Sequence, residues 1–310
     1  KTVYRPDTTN LAAATNSALD IAQGEWITLL NPEDLLSEDA LFWVVEVLNK
    51  DQDVALIYSD EDQLDVQGNR TAPYFKCDWN QELFYCHHMT AHLGLYRSSL
   101  LREIGGFRAE FDGAHSYDVA LRVIERISSS QIHHIPRILY HVRSPAADAS
   151  KPINANSDAV IAGQKALNEH FQRQNIPATA EFTGAYYRAH YALPEVQPLV
   201  TLIIPTRNGL ALLRQCIASI IEKTTYKNYE ILVVDNNSDD PATLQYMHEL
   251  EEKGQARILQ DNRPFNYSAL NNHAVHYAQG EFVGLLNNDV EIISPDWLSE
   301  MVSIAMQAQV

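Results

Sequence analysis

The chain is poor in several things at once. Its 310 residues hold three cysteines, Cys77, Cys86 and Cys216, too few and too scattered for a disulfide framework or a thiolate zinc site, which suits a reducing compartment. No apolar run approaches the roughly 18 residues of a membrane-spanning helix, and no secretory signal is visible. Basic residues are scarce: 23 Lys and Arg stand against 40 Asp and Glu, a net charge of −17. So acidic a surface repels a nucleic-acid backbone and excludes that partner. A phosphorylated small molecule stays admissible only where a metal ion or a local basic group reverses the field. Neither G-x-G-x-x-G nor G-x-x-x-x-G-K-[ST] occurs, which removes the usual dinucleotide and P-loop readings. With 45% hydrophobic residues, material for buried cores is ample.

What the chain does have is a long internal repeat. Ala13, Asn16, Ala18, Ala22, Gln23, Gly24, Glu25, Leu29, Leu30 and Asn31 recur as Ala269, Asn272, Ala274, Ala278, Gln279, Gly280, Glu281, Leu285, Leu286 and Asn287. Each copy predicts a helix, a short buried strand, a polar tip (Asn31-Pro32-Glu33-Asp34 or Asn287-Asn288-Asp289) and a second helix started near Ser37 or Ser294-Pro295. The spacing is that of a large α/β domain rather than of a solenoid repeat. The chain therefore reads as the back part of one domain (1–150), a helical connector and linker (151–198), and the front part of the next (199–310).

In the first part, Lys1 to Arg5, Val54 to Tyr58, His92 to Tyr96 and Ile135 to Val142 read as strands. Ser59 to Asp62 reads as an acidic release into a turn at Gln67-Gly68-Asn69, Gly105-Gly106-Phe107 as a further turn, and a helix starts near Tyr117-Asp118. A connector helix is expected from Asn156 to Asn175, capped by Ser157 or Asn156. The second part alternates regularly: strands at 200–204, 229–234 and 256–259, with helices at 210–222 and 241–252 between them. Continuous β-branched runs separated by helices predict a parallel sheet covered on both faces, with function at the carboxyl ends of its strands. Those ends carry Thr206-Arg207-Asn208, Asp235-Asn236-Asn237 and Asn287-Asn288-Asp289. Asn and Asp after a strand often do no more than cap the next helix. Three such tips on one sheet form instead a rim of hard oxygen donors, suited to Mg²⁺ or Mn²⁺ holding a diphosphate.

The segments PLVTLIIPTRNG, ILVVDNNSDD and FNYSALNNHAV with GEFVGLLNNDVEIISPDW resemble the nucleotide-sugar half of family 2 glycosyltransferases, enzymes of the GT-A (nucleotide-diphospho-sugar transferase) fold. YSDEDQLD, PYFKCDW, HLGLYR, GGF, YDVALRV and IPRILYH resemble the acceptor half of that fold. The arrangement is similar to tandem two-domain proteins of O-antigen and other surface-polysaccharide synthesis, here as two partial copies.

The resemblance implies roles. Thr206, Arg207 and Asn208 sit beside the nucleoside, Asp235 contacts its base or ribose, and Asn287 and Asp289 hold the first and last positions of a D-x-D motif, Asp289 as metal ligand. Transfer would invert the anomeric centre, with a carboxylate as base, in the second domain from residues beyond Val310. In the first domain Glu33 remains a possible ligand, His141 lies near the diphosphate and metal, and Asp60, Glu61 and Asp62 line the acceptor side unless they form a solvated turn. Trp79, in a loop, is the sugar-stacking candidate, while Trp26, Trp43 and Trp297 read as core and His87, His88 and His92 as structural. Ser116 stands where relatives carry the base, leaving Asp118 as the substitute, although it faces elsewhere on the helix. The first domain is thus expected to be impaired or specialised, and the alternative is a non-catalytic glycan-binding module. A nucleotidyltransferase ranks last, because it would need a glycine-rich basic loop after the first strand. The implied partners are a nucleotide-diphosphate sugar and a glycan or lipid-linked glycan. The implied place is the cytoplasm at the inner membrane face, with peripheral association of the full-length protein.

Overall fold

The structure, a computed structural model, describes residues 1–4, 10–143 and 157–307. The chain divides into two compact units, Lys1–His190 and Tyr191–Val310.

Unit 1 opens with α1 (Leu11–Ile21), whose N-terminus is capped by Asn10 accepting from the Ala13 amide at 3.1 Å. The elements that follow are β1 (Trp26–Thr28), β2 (Leu35–Leu36), α2 (Ala40–Lys50), β3 (Leu56–Leu64), β4 (Arg70–Tyr74), α3 (Gln81–Cys86), β5 (Leu95–Arg97), α4 (Ser98–Glu103), α5 (His115–Ile124), β6 (Ile132–Arg143), α6 (Asp158–Arg173) and the hairpin β7 (Ala178–Phe182) and β8 (Tyr187–Tyr191). The main sheet runs β1-β5-β3-β6-β2, with β4 paired to β3. Leu56, Ile57 and Tyr58 are fully buried, which suits a central strand. β3 and β6 run parallel, and their register jumps from Ser59↔Ile135 to Asp60↔Ile138 across Pro136, which has no N–H to give a ladder.

Unit 2 is the regular α/β half: β9 (Val200–Thr206), α7 (Leu210–Lys223), β10 (Tyr229–Asp235), α8 (Pro241–Glu252), β11 (Arg257–Gln260), α9 (Tyr267–Val275), β12 (Phe282–Leu285) and α10 (Trp297–Ala305). The four strands lie in the order β11-β10-β9-β12, all parallel. Val200, Leu202 and Ile204 bury toward one side of the sheet and Ile203, Leu232 and Val234 toward the other, each set packed on helices. The repeated glycine has a steric reason here. A Cβ on Gly280 would lie 2.6 Å from the Thr201 amide nitrogen and 2.7 Å from the Leu199 carbonyl oxygen.

The repeat recurs in the order of elements, but its strand, expected to be buried, is half-buried or exposed in both copies. α1, β1 and α2 correspond to α9, β12 and α10, and both first helices are capped by an asparagine, Asn10 and Asn266. Four local expectations give way. β3 does not stop at Tyr58 but continues through Ser59–Leu64, because each acid finds a basic or imidazole partner. His92 and Leu93 adopt positive φ of 53° and 48°, so the strand begins only at Leu95. Residues 1–4 carry no strand, and Arg5 lies outside the described residues. The connector helix α6, capped by Ser157 as expected, packs on α5 within unit 1 through Ala166, Leu167 and Phe171, and the β7–β8 hairpin follows where only linker was read.

Candidate functional site

In unit 2 the register sets Thr206 beside Asp235, and Asp235 beside Gln260, so neighbouring strands end at one level. A cleft of about 360 Å³ opens above this edge, lined by Thr206, Arg207, Asn287 and Asp289 together with Asn236, Asn288, Phe265 and Tyr267. Four chain segments separated in sequence therefore meet at one place. Thr206 is buried, and its hydroxyl accepts from Asn288 Nδ2 at 2.9 Å while donating to the Asn208 carbonyl at 3.2 Å. Arg207, Asn287 and Asp289 are exposed in the cleft.

The repeated tip is tied down from below. The Cys216 thiol lies 3.7 Å from the Asn287 carbonyl, and burial pushes its pKa up to about 11, which keeps it protonated. The Ser219 hydroxyl accepts from the Ile292 amide at 3.0 Å, and Lys223 reaches Glu291 at 2.9 Å and the Ile292 carbonyl at 2.8 Å.

Asn208 and Asp235 do not line the cleft. Asn208, at φ 52°, bridges two loops: Nδ2 donates to Asp239 at 2.8 Å, and Oδ1 accepts the Asp239 and Asp240 amides at 2.9 and 3.0 Å. The carboxylate of Asp235 is buried and accepts from the Ser238 amide at 3.0 Å. Its neighbour Asn236 lines the cleft instead, fixed by Nδ2 donating to the Asp261 and Arg263 carbonyls, each at 2.8 Å. Sequence reasoning placed Asn236 in a strand-end tip without giving it a role, and it missed Phe265 and Tyr267. The signal was present as Arg-Pro-Phe-Asn-Tyr directly before a capped helix, a place where a side chain stands clear of the sheet.

Below this loop Asp261 is clasped by Arg263, through Nε at 2.8 Å and a second contact from Nη2, and by His273 at 3.0 Å. The Arg263 guanidinium holds the Asp261 carboxyl well below the usual carboxylate range. The cluster fixes the segment that carries Phe265.

Residues 201–309 match the family model described as glycosyl transferase family 2. The uncharacterized protein y4gI of Sinorhizobium fredii is 44% identical over 311 residues, which cover 99% of this chain and 34% of that protein. The O-antigen biosynthesis protein RfbC of Myxococcus xanthus is 38% identical over 303 residues, 96% of this chain and 23% of that protein. The chain carries a glycosyltransferase family 2 domain. Its fold is the GT-A fold named from the sequence motifs, and it spans about a third or less of the length of these two relatives. Among solved structures, the mannosyltransferase PcManGT from Pyrobaculum calidifontis, in complex with GDP-Man and Mn²⁺, aligns at TM-score 0.35 and 24% identity over 38% of this chain and 35% of that one.

In unit 1 the residues singled out from the sequence are occupied with one another. Asp118 is fully buried, held by Arg122 Nε and Nη2 at 3.0 and 2.7 Å and by Arg108 through both Nε and Nη2. Two guanidiniums and no route to a substrate hydroxyl make it a structural anchor, so the substitute-base reading is withdrawn. Asp60 meets His134 Nε2 at 2.8 Å and accepts the Lys76 amide at 2.9 Å. Glu61 pairs with Lys76 Nζ at 2.8 Å and His92 Nδ1 at 2.9 Å, and Asp62 with His141 Nδ1 and Arg70 Nε, both at 2.5 Å. Asp60 and Asp62 are buried, so the solvated-turn reading fails and they brace the sheet. His141 is committed to Asp62 and Glu33 is exposed, and among the described residues no three His, Cys, Asp or Glu side chains group to hold a metal. Trp79 packs half-buried, its ring centroid 5.0 Å from that of Phe84. Trp26, Trp43 and Trp297 pack at core margins.

Proposed function

We propose that unit 2 is the nucleotide-sugar-binding part of a transferase that moves a sugar from a nucleotide diphosphate to a glycan acceptor in surface-polysaccharide synthesis. The observation that carries this reading is the meeting of Thr206, Arg207, Asn287 and Asp289, from separate strand ends, around one cleft with an aromatic wall. The similarity to RfbC, an O-antigen biosynthesis protein, supports the same class of product.

Each lining group has work suited to its chemistry. Phe265, 69% exposed, and Tyr267 offer faces on which a nucleobase stacks. Arg207 offers a guanidinium to phosphate oxygens. Asn236 and Asn287 supply amides to ribose or sugar hydroxyls. The donor set suits Mg²⁺ or Mn²⁺ only together with the ligand: Asp289 is the sole carboxylate lining the cleft, so phosphate oxygens complete the shell. Bound there, such a cation would stabilise negative charge on the departing diphosphate. Inverting transfer also needs a base for the acceptor hydroxyl, and with Asp289 committed to the cation, that carboxylate comes from outside the described residues of unit 2.

The two units fit as complementary parts of two copies of one domain. The shared strand is an edge in both sheets, β1 with only β5 beside it and β12 with only β9. Asn16 brackets Phe107, accepting its amide at 2.8 Å and donating to its carbonyl at 2.7 Å, whereas its repeat Asn272 is exposed. The acceptor is a glycan or lipid-linked glycan. No helix among the described residues is long and apolar enough to cross a membrane.

Titrating the chain with UDP and with GDP, with and without Mn²⁺, tests the reading. Binding of one nucleotide that strengthens with Mn²⁺ is expected. Absence of binding for both would sink it.

A further inference from the structure

Phe265 stands 69% exposed in the wall of the unit 2 cleft, on a stretch with no helix or strand of its own. That stretch, Asp261 to Asn266, leads from the end of β11 into α9, and it is pinned from several sides. The Asp261 amide donates to the Asp235 carbonyl at 2.9 Å, and the Arg263 amide donates to Asp261 Oδ1 at 3.2 Å. Just past β10, Asn236 Nδ2 donates to the carbonyls of both Asp261 and Arg263, each at 2.8 Å. At the far end Asn266 caps α9 by accepting from the Ala269 amide at 2.9 Å. Between Arg263 and that cap stand only Pro264, whose ring sets its own φ, and Phe265.

Beneath the loop lies a charge that burial disfavours. Asp261 is 3% exposed, and its carboxylate is given to the segments that follow it: to Arg263 through Nε at 2.8 Å and through Nη2, and to His273 Nδ1 on α9 at 3.0 Å. Arg263 Nη2 reaches on to the Ala269 carbonyl at 3.4 Å. A buried ion pair adds little stability over an apolar filling of the same volume, so its gain here lies in geometry: it permits one arrangement of the loop and penalises others. Asp261, Arg263 and His273 do not line the cleft, so any effect they have on a ligand passes through the loop they hold.

We infer that Asp261 is a positioning residue for base recognition: by clasping Arg263 and His273 it holds Phe265 where the face of a nucleobase stacks, and it does nothing for the diphosphate. The inference rests on the reading of unit 2 as the nucleotide-sugar-binding part. An aromatic side chain on a free loop has to be ordered by each arriving base, at a cost in affinity, whereas the clasp completes that ordering when the chain folds. Affinity for the base and affinity for the phosphates therefore separate.

Calorimetric titration of the whole chain in Mn²⁺ with UDP, GDP and inorganic pyrophosphate tests it. Asp261→Asn keeps the shape of the side chain but sets an amide where guanidinium and imidazole donors converge. It should weaken binding of the preferred nucleotide about tenfold, a share of what one stacked base is worth, and leave pyrophosphate affinity within about twofold. Arg263→Met, at a side chain 53% exposed, should do the same, and it carries the test if Asp261→Asn fails to fold. In a Phe265→Ala background either substitution should cost less than about twofold, because the ring it positions is gone. Losses that add in full, or pyrophosphate binding that falls as far as nucleotide binding, overturn the inference and leave the reading of unit 2 standing. A wild-type chain that binds neither nucleotide overturns both.

Discussion

The same helix–strand–tip–helix element ends differently in the two units. In unit 2 the tip ends in Asn287-Asn288-Asp289, with the carboxylate exposed in the cleft and the backbone anchored by α7 beneath. In unit 1 it ends in Asn31-Pro32-Glu33-Asp34, where Asp34 turns inward to Tyr140 and Glu33 stands in solvent. One scaffold thus holds its carboxylate outward in one place and turns it inward in the other.

Breaking each unit where it is most committed should separate scaffold from site. The largest effect is expected for Asp118→Ala, which strands Arg108 and Arg122 around a buried void. Loss of about 3–5 kcal/mol is expected for unit 1, read by denaturant unfolding, with UDP and GDP binding by unit 2 unchanged. Asp289→Asn should next remove the Mn²⁺ dependence of nucleotide binding and weaken it about a hundredfold, by calorimetric titration, whereas Glu33→Gln in the corresponding tip should leave it unaltered within about 0.5 kcal/mol. Phe265→Ala should cost roughly 1–3 kcal/mol of nucleotide affinity, the worth of one stacked base, with Phe265→Tyr restoring most of it.

Acid should sharpen the contrast further. His88 is partly buried in unit 1, and desolvation there lowers its pKa from 6.5 to about 3. Between those values the unfolded chain binds a proton that the folded chain refuses, so stability falls as pH drops through the window and is flat above it. His88→Phe should flatten that slope in thermal melts of unit 1. An unchanged slope would show the imidazole charged in the fold.

How much of this was legible depended on what each segment buries. β9 and β10 are continuous apolar runs, and α6, α8 and α9 begin at Ser157, Asp240 and Asn266, so pattern and cap agree. β3 was legible only to Tyr58: beyond it the strand is made of acids, and its partners Lys76, His92, His134 and His141 are far off in sequence. The rim residues Thr206, Arg207, Asn287 and Asp289 were legible because strand ends in a parallel sheet must converge. Asn208 and Asp235 share that place yet serve the loops, since an amide or carboxylate after a strand satisfies backbone N–H groups as readily as a ligand. Phe265 escaped because it belongs to no periodic element.

The bridge made by Asn208 has a mechanical consequence. One amide grips the start of the loop after β9 and the entrance to α8 at three points, so Arg207 cannot swing without dragging the next segment along. The rim behaves as a fixed jaw rather than a hinged flap. A donor entering it meets a surface already set, and little of its affinity is lost to ordering the protein.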